Sequence, residues 1–223
     1  MSESQFAAVA CLLAAVGAAR ATWSPCGQSM LASLTPVGER SRGFSWRVTA
    51  TAYAIGATGG GALTGLALGA LGSLLPGGLG WRGPALLGTL LAALVIDATP
   101  LRRRLLRARG QVNEDWMARY RGWVYGLGFG ARLGVGWTTL VACAAVYATF
   151  VSELLAGSPA VGASIGVTFG AVKALALLPA GTGRDRRSLH ALHRALARWD
   201  SPAARAVVAS ELILCAVVIG AVA

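Results

Sequence analysis

Apolar runs of roughly 18 to 20 residues, the length that crosses a bilayer, recur along this chain, and most of its charge lies in the connections between them. A backbone in hydrocarbon must satisfy all of its N–H and C=O groups internally, which leaves only helices and closed barrels. Runs of this length are helical, because a barrel strand needs only about 9 to 11 residues. With 55% hydrophobic and 13% charged residues among 223, no segment is large enough for a separate soluble domain. The expected class is therefore all-α, a polytopic integral membrane protein.

Six transmembrane helices are expected at about 5–37, 47–75, 83–101, 122–156, 159–181 and 203–223. Turn formers mark the joints: Gly38 to Gly43, Pro76-Gly77-Gly78, Gly157-Ser158-Pro159 and Ser201-Pro202. The N-terminal Met1-Ser2-Glu3-Ser4-Gln5 lacks the positive charge of a signal peptide, so the first helix is expected to be retained. The formal net charge is +11. Nothing resembles a nucleic-acid module, so no nucleic-acid partner is expected, and the charge reads as topology instead. Arg40, Arg42 and Arg47 flank the first connection. The third runs from Arg102 to Arg121, and the fifth carries Arg184, Arg186, Arg187, Arg194 and Arg198, with Arg205 beyond. Together these connections hold 16 of the 20 basic residues, and the opposite side has only Arg82. Basic loops stay in the cytoplasm, so the chain is expected in the cell (cytoplasmic) membrane, in contact with lipid and with both termini outside.

Two spans are too long. At ~1.5 Å per residue, 5–37 and 122–156 overshoot a hydrocarbon core of ~30 Å, so each must tilt or break. The first contains Thr22-Trp23-Ser24-Pro25-Cys26, where Pro25 removes a backbone donor and clashes with the preceding turn. The second contains Gly128, Gly130, Gly134 and Gly136, followed by Trp137, Thr138 and Thr139. A break inside a membrane is tolerated only where it is buried in protein or lines a wet cavity.

The two halves echo one another. Trp23 and Trp137 stand 114 positions apart, as do Asp97 and Glu211. A glycine ladder Gly61, Gly65, Gly69 in span two matches Gly162, Gly166, Gly170 in span five, and such ladders let helix backbones approach closely. The expectation is two inverted three-helix repeats, residues 1–110 and 111–223, forming one membrane domain. In this architecture the site lies near midplane at broken helices.

Ionisable groups within the spans are costly and point to function: Arg20, Asp97, Arg132, Lys173 and Glu211. A buried arginine–carboxylate contact is the simplest way to hold Arg20 or Glu211. In the fifth connection, Leu189, Leu192, Leu196 and Trp199 form an apolar stripe with the arginines largely off it, as in a short helix lying on the membrane surface. His190 and His193 share a face there, but no carboxylate completes a metal set. No metal and no cofactor are expected. The four cysteines, Cys11, Cys26, Cys143 and Cys215, form no Cys-x-x-Cys pair.

Ser24-Pro25-Cys26 opening a three-helix half, and Gly128-Phe129-Gly130 through Trp137-Thr138 in the second half, resemble the transmembrane thiol reductant carriers, the cytochrome c biogenesis protein CcdA and the membrane domain of DsbD. The sequence departs from that pattern at Thr139 and Leu140, where proline and cysteine are expected, and at Ser29, near where a proline usually follows the first cysteine. The next proline here is Pro36. The resemblance implies thiol–disulfide exchange or cytochrome c maturation, with reducing equivalents passed across the membrane from a thioredoxin-like protein. It implies Cys26 as the reactive thiol and Cys143, about one helical turn past Leu140, as a displaced partner. A small-molecule or ion transporter on the same scaffold is the alternative, using the helix ends at Ser24, Pro25 and Gly134 to Thr139. A third reading is a non-catalytic membrane partner.

The charge asymmetry carries a direct test. Reporter fusions or impermeant labelling should place the loops containing Arg104 and Arg187 in the cytoplasm, and an outside location for either would overturn the orientation.

Overall fold

The computed structural model describes residues 1–75, 79–101, 119–137, 143–183 and 185–222, and every regular element among them is helical. Helix α1 spans Glu3–Arg20 and opens on a capping box, in which the Ser2 hydroxyl accepts from Gln5 N and the Gln5 side chain accepts from Ser2 N. A 3₁₀ turn at Ala21–Trp23 leads to α2, Pro25–Ser33, and then to α3, Pro36–Ser41. Helices α4, Trp46–Gly72, and α5, Arg82–Ala98, complete the first half. The second half holds α6, Gly122–Val135; α7, Ala144–Ala156; α8, Pro159–Leu175, with proline in its first turn; and α9, Arg186–Val222.

Four of these stretches are long and apolar enough to cross a membrane: Glu3–Trp23, Trp46–Gly72, Pro159–Thr182 and Arg187–Val222. Ala144–Ala156 is apolar but shorter. The six expected spans thus appear as four helices of spanning length with shorter ones between them. The expected 5–37 span is three helices, because Pro25 and Pro36 each begin a new one.

Helix α4 occupies the centre, packed on one side against α8 and on the other against α6. Both contacts are backbone to backbone. A Cβ at Gly61 would overlap the carbonyl oxygen of Gly166, and one at Gly65 that of Gly162. Cβ atoms at Gly162 and Gly166 would overlap Gly65 and Gly61 in return. Toward α6, Gly56 and Gly60 lie against Leu127 and Ala131, while Gly130 and Gly134 lie against Tyr53 and Ala57. No other residue permits this spacing, which is the reason small residues gather at membrane helix interfaces.

Around this slab two apolar clusters form. Phe6, Leu13, Leu86, Leu90, Ile165 and Phe169 belong to one, and Met30, Leu34, Tyr53, Tyr125, Leu133 and Leu177 to the other. Met1 and Val222 both lie against Gly83, and the neighbouring Arg82 donates from Nη1 to Ala156 O at 2.8 Å.

Helix α9 departs from expectation. A surface helix ending at Ser201-Pro202 was expected, yet one 37-residue helix runs through Pro202. Its start is fixed by Asp185, which accepts from Ser188 N at 2.8 Å; these bonds hold the Asp185 carboxyl below its ordinary range. On the N-terminal side of Pro202 it is tied to α1 and the turn after it. Trp23 Nε1 donates to Leu196 O at 2.9 Å, and Arg20 pairs with Asp200 at 2.8 Å. These ties hold the helix in line across the hydrogen bond that proline removes. The stripe of Leu192, Leu196 and Trp199 faces an apolar groove shared with Trp23 and Leu175.

Substitution by leucine tests the central contact. Gly65→Leu must push α8 away and should lower thermal stability in detergent by the upper part of the ~1–3 kcal/mol typical of overpacking, or more. Gly59→Leu, on the same helix with nothing within 4 Å, should change it little. Equal losses would show that the close approach is not what holds α4 in place.

Candidate functional site

Both long spans break, and each restart has its own cap. After the 3₁₀ turn, Ser24 leaves the helical conformation; its hydroxyl donates to Ala21 O at 2.6 Å and accepts from Gly27 N at 3.1 Å. Pro25 takes the first position of α2, where no backbone donor is needed. The turn is tight enough that a Cβ on Gly27 would lie 2.5 Å from the Thr22 carbonyl oxygen and 2.6 Å from that of Ala21. Cys26 follows directly and is 1% exposed. Pro36 begins α3 in the same way, with Thr35 Oγ1 accepting from Gly38 N at 3.1 Å.

In the second half α6 ends before Gly136, whose φ of 77° suits glycine. Thr138, Thr139 and Leu140 lie outside the described residues, while Trp137 is 70% exposed. Helix α7 restarts after Cys143, and its cap comes from another span. Asp97, near the end of α5, accepts from Ala144 N at 2.8 Å and from Ala145 N at 3.3 Å. A carboxylate at a helix N-terminus satisfies free N–H groups and opposes the positive end of the dipole.

Four of the five intramembrane charges gather around this restart. Asp97, Glu211 and Arg20 all lie within electrostatic reach of Cys143. Lys173 is within reach of both Cys143 and Cys26 and lies over the Phe169 ring, its Nζ 5.5 Å from the ring centre. Arg132 is half-buried in the last turn of α6. The expected arginine–carboxylate contact exists, but the partner of Arg20 is Asp200, from the first half of α9. Glu211 instead sits against Asp97, so the two acids 114 positions apart in sequence meet in space. Cys26 and Cys143 are free thiols, one in each apolar cluster.

Sequence reasoning passed over a second polar cluster. Glu39 in α3 is wholly buried. It pairs with Arg42 at 2.5 Å and accepts from Thr49 Oγ1 at 2.6 Å and from the Tyr125 hydroxyl. Arg42 also donates to Ser33 O at 2.9 Å and stands over the Tyr125 ring. This network ties α3 to α4 and α6. Its residues are dispersed from 33 to 125 and look like ordinary loop and span positions one by one. The only local signal was Thr35-Pro36, which marks a helix start just before a lone carboxylate.

Burial orders the thiols. Cys11 is partly exposed, whereas Cys26 and Cys143 are buried. A small membrane-permeant thiol reagent should therefore label Cys11 several times faster than either, measured on single-cysteine variants. Faster labelling of Cys26 would mean that the α2 restart opens to solvent.

Comparison with known proteins identifies the chain's relatives. The methylamine utilization protein MauF of Methylophilus methylotrophus is 32% identical over 199 residues, which is 86% of this chain and 68% of that protein. MauF of Methylorubrum extorquens is 34% identical over 187 residues, 80% of this chain and 64% of that protein. MauF of Paracoccus versutus is 32% identical over 168 residues, 72% and 60% respectively. The chain thus spans about 60% to 68% of these relatives' own length. No protein-family model and no solved structure matches it.

These relatives overturn the resemblance to CcdA and DsbD, and with it thiol–disulfide exchange and cytochrome c maturation; they give the transporter alternative no support either. The physical reason is in the motif. Serine followed by proline is what a helix restart selects for capping, and Cys26 beside them packs as a small apolar residue. Three residues explained by backbone geometry could not carry a chemistry. Related at 32% identity across most of its length, the chain belongs to the MauF family of methylamine utilization proteins.

Proposed function

We propose that the chain is an accessory integral membrane protein of methylamine utilization. The observation that carries this reading is the extent of similarity to MauF, which in the Methylophilus methylotrophus relative covers 86% of the chain and therefore reaches into both halves. Its described interior fits a scaffold more readily than a reaction centre. The polar side chains at the breaks cap helices or bind neighbouring helices, as Ser24, Asp97 and Arg20 do.

The finer architecture belongs to the same proposal. Residues 1–110 and 111–223 form two inverted three-helix halves, each opening on a broken span. The meeting of Met1 and Val222 at Gly83 supports an even number of crossings, and the basic connections support a cytoplasmic location for the loops opposite. The glycine ladders of α4 and α8 meet as equivalent helices of two halves would. With the thiol-exchange reading goes the reason for a thioredoxin-like partner.

Deletion of the gene tests the function. Growth of the host on methylamine should fail, growth on other substrates should continue, and the full-length gene supplied in trans should restore growth. Undiminished growth on methylamine would refute the assignment.

A further inference from the structure

Glu211 projects from α9 into the interior and is 0% exposed. Among the described residues no N–H or O–H donor reaches either of its carboxyl oxygens. The group it meets is the carboxyl of Asp97 from α5. Asp97 is already committed as an acceptor, taking the backbone N–H groups of Ala144 and Ala145. An ionised carboxylate can only accept, whereas a protonated one gains an O–H donor. Two bare carboxylates in contact would repel one another, and burial leaves Glu211 without water to solvate its charge.

We propose that Asp97 and Glu211 form a proton-binding site, in which the carboxylic acid O–H of the buried Glu211 donates to a carboxylate oxygen of Asp97. The asymmetry follows from the surroundings. Asp97 faces two N–H groups at the positive end of the α7 dipole, which favours the charge there, while Glu211 has no such donor. Among the described residues, Cys143 at the start of α7 lies within reach of both acids and Cys215 from α9 within reach of Glu211, with Arg20 from α1 and Lys173 from α8 within reach of Cys143. The ligand is one proton taken from water. When it leaves, the Glu211 O–H bond breaks, the proton returns to water, and two carboxylates remain in contact. The bound proton therefore fastens α9 to α5 and, through the Asp97 cap, to the restart of the broken second-half span.

Infrared spectroscopy of the purified full-length protein reads this directly. The wild-type minus E211Q difference spectrum should show the C=O stretching band of a protonated carboxyl, shifted down in D₂O. Glu153, also buried, contributes equally to both proteins and cancels. In D97N the Glu211 band should remain but shift, because the oxygen it donates to is no longer a carboxylate. An E211Q spectrum that keeps the whole band would overturn the site, and a D97N spectrum with the band unmoved would overturn the pairing. E211Q is expected to fold, since its amide N–H can replace the O–H donor. Should it not, [¹³C]glutamate labelling of an E153Q protein gives the same reading: the band must shift with labelled glutamate and stay in place with labelled aspartate, and the reverse overturns the assignment.

Discussion

Backbone contact through glycine is the constraint on which the rest of this structure depends. Lipid tails are as apolar as leucine, so helices in a membrane gain little by hiding apolar side chains from one another. What remains is dispersion over closely matched surfaces, and α4 maximises it on two sides. Gly61 and Gly65 meet Gly166 and Gly162 of α8, while Gly56 and Gly60 receive α6. With α4 fixed, α6 and α8 are fixed on either side of it, and α1 and α7 pack against α8 and α4. At the first break this packing leaves Ser24 and Cys26 buried in protein.

A broken helix inside protein leaves N–H groups that must be met. The two halves meet this need differently. The first uses a local cap, Ser24, three residues from the N–H it serves. The second uses Asp97, 47 positions away from Ala144. A distant cap makes the second restart depend on the position of α5, and α5 in turn packs against α9. The ion pair of Arg20 with Asp200 gives α9 a second tie, to the end of α1. The Glu39 network does comparable work at α3, where Arg42, Thr49 and Tyr125 meet the carboxylate. Charges that would be costly in hydrocarbon are thereby converted into ties between helices.

The error in the functional reading is instructive for the same reason. Ser24-Pro25-Cys26 looked like the mark of a reactive thiol because it sits at a break, and breaks in membrane helices are often functional. Serine and proline at a restart, however, are demanded by backbone geometry whatever the protein does. The cysteine that follows is buried among Met30, Leu31 and Leu34. Similarity spread over most of the chain to MauF proteins outweighs a motif of three residues with a structural explanation.

The sequence by itself determined what local chemistry can determine. Apolar length gave helices of spanning size, Pro25 and Pro36 gave helix starts, Gly136 and Gly157 gave ends, and the spacing of Gly61, Gly65 and Gly69 marked a close-packed face. Each is a property of a few neighbouring residues and survives any arrangement of the helices. The partners were decided only by the tertiary structure. Arg20 was expected to find a carboxylate, but that it is Asp200 depends on α9 continuing through Pro202 to lie beside α1. Asp97 and Glu211 stood out as a repeated spacing, yet their meeting, and the role of Asp97 as the cap of α7, require α5, α7 and α9 to converge. Glu39 gave no signal beyond the helix start at Thr35-Pro36, because Thr49 and Tyr125 reach it from two other helices. Long-range pairing of polar groups is a property of the packed whole, and no window of sequence contains it.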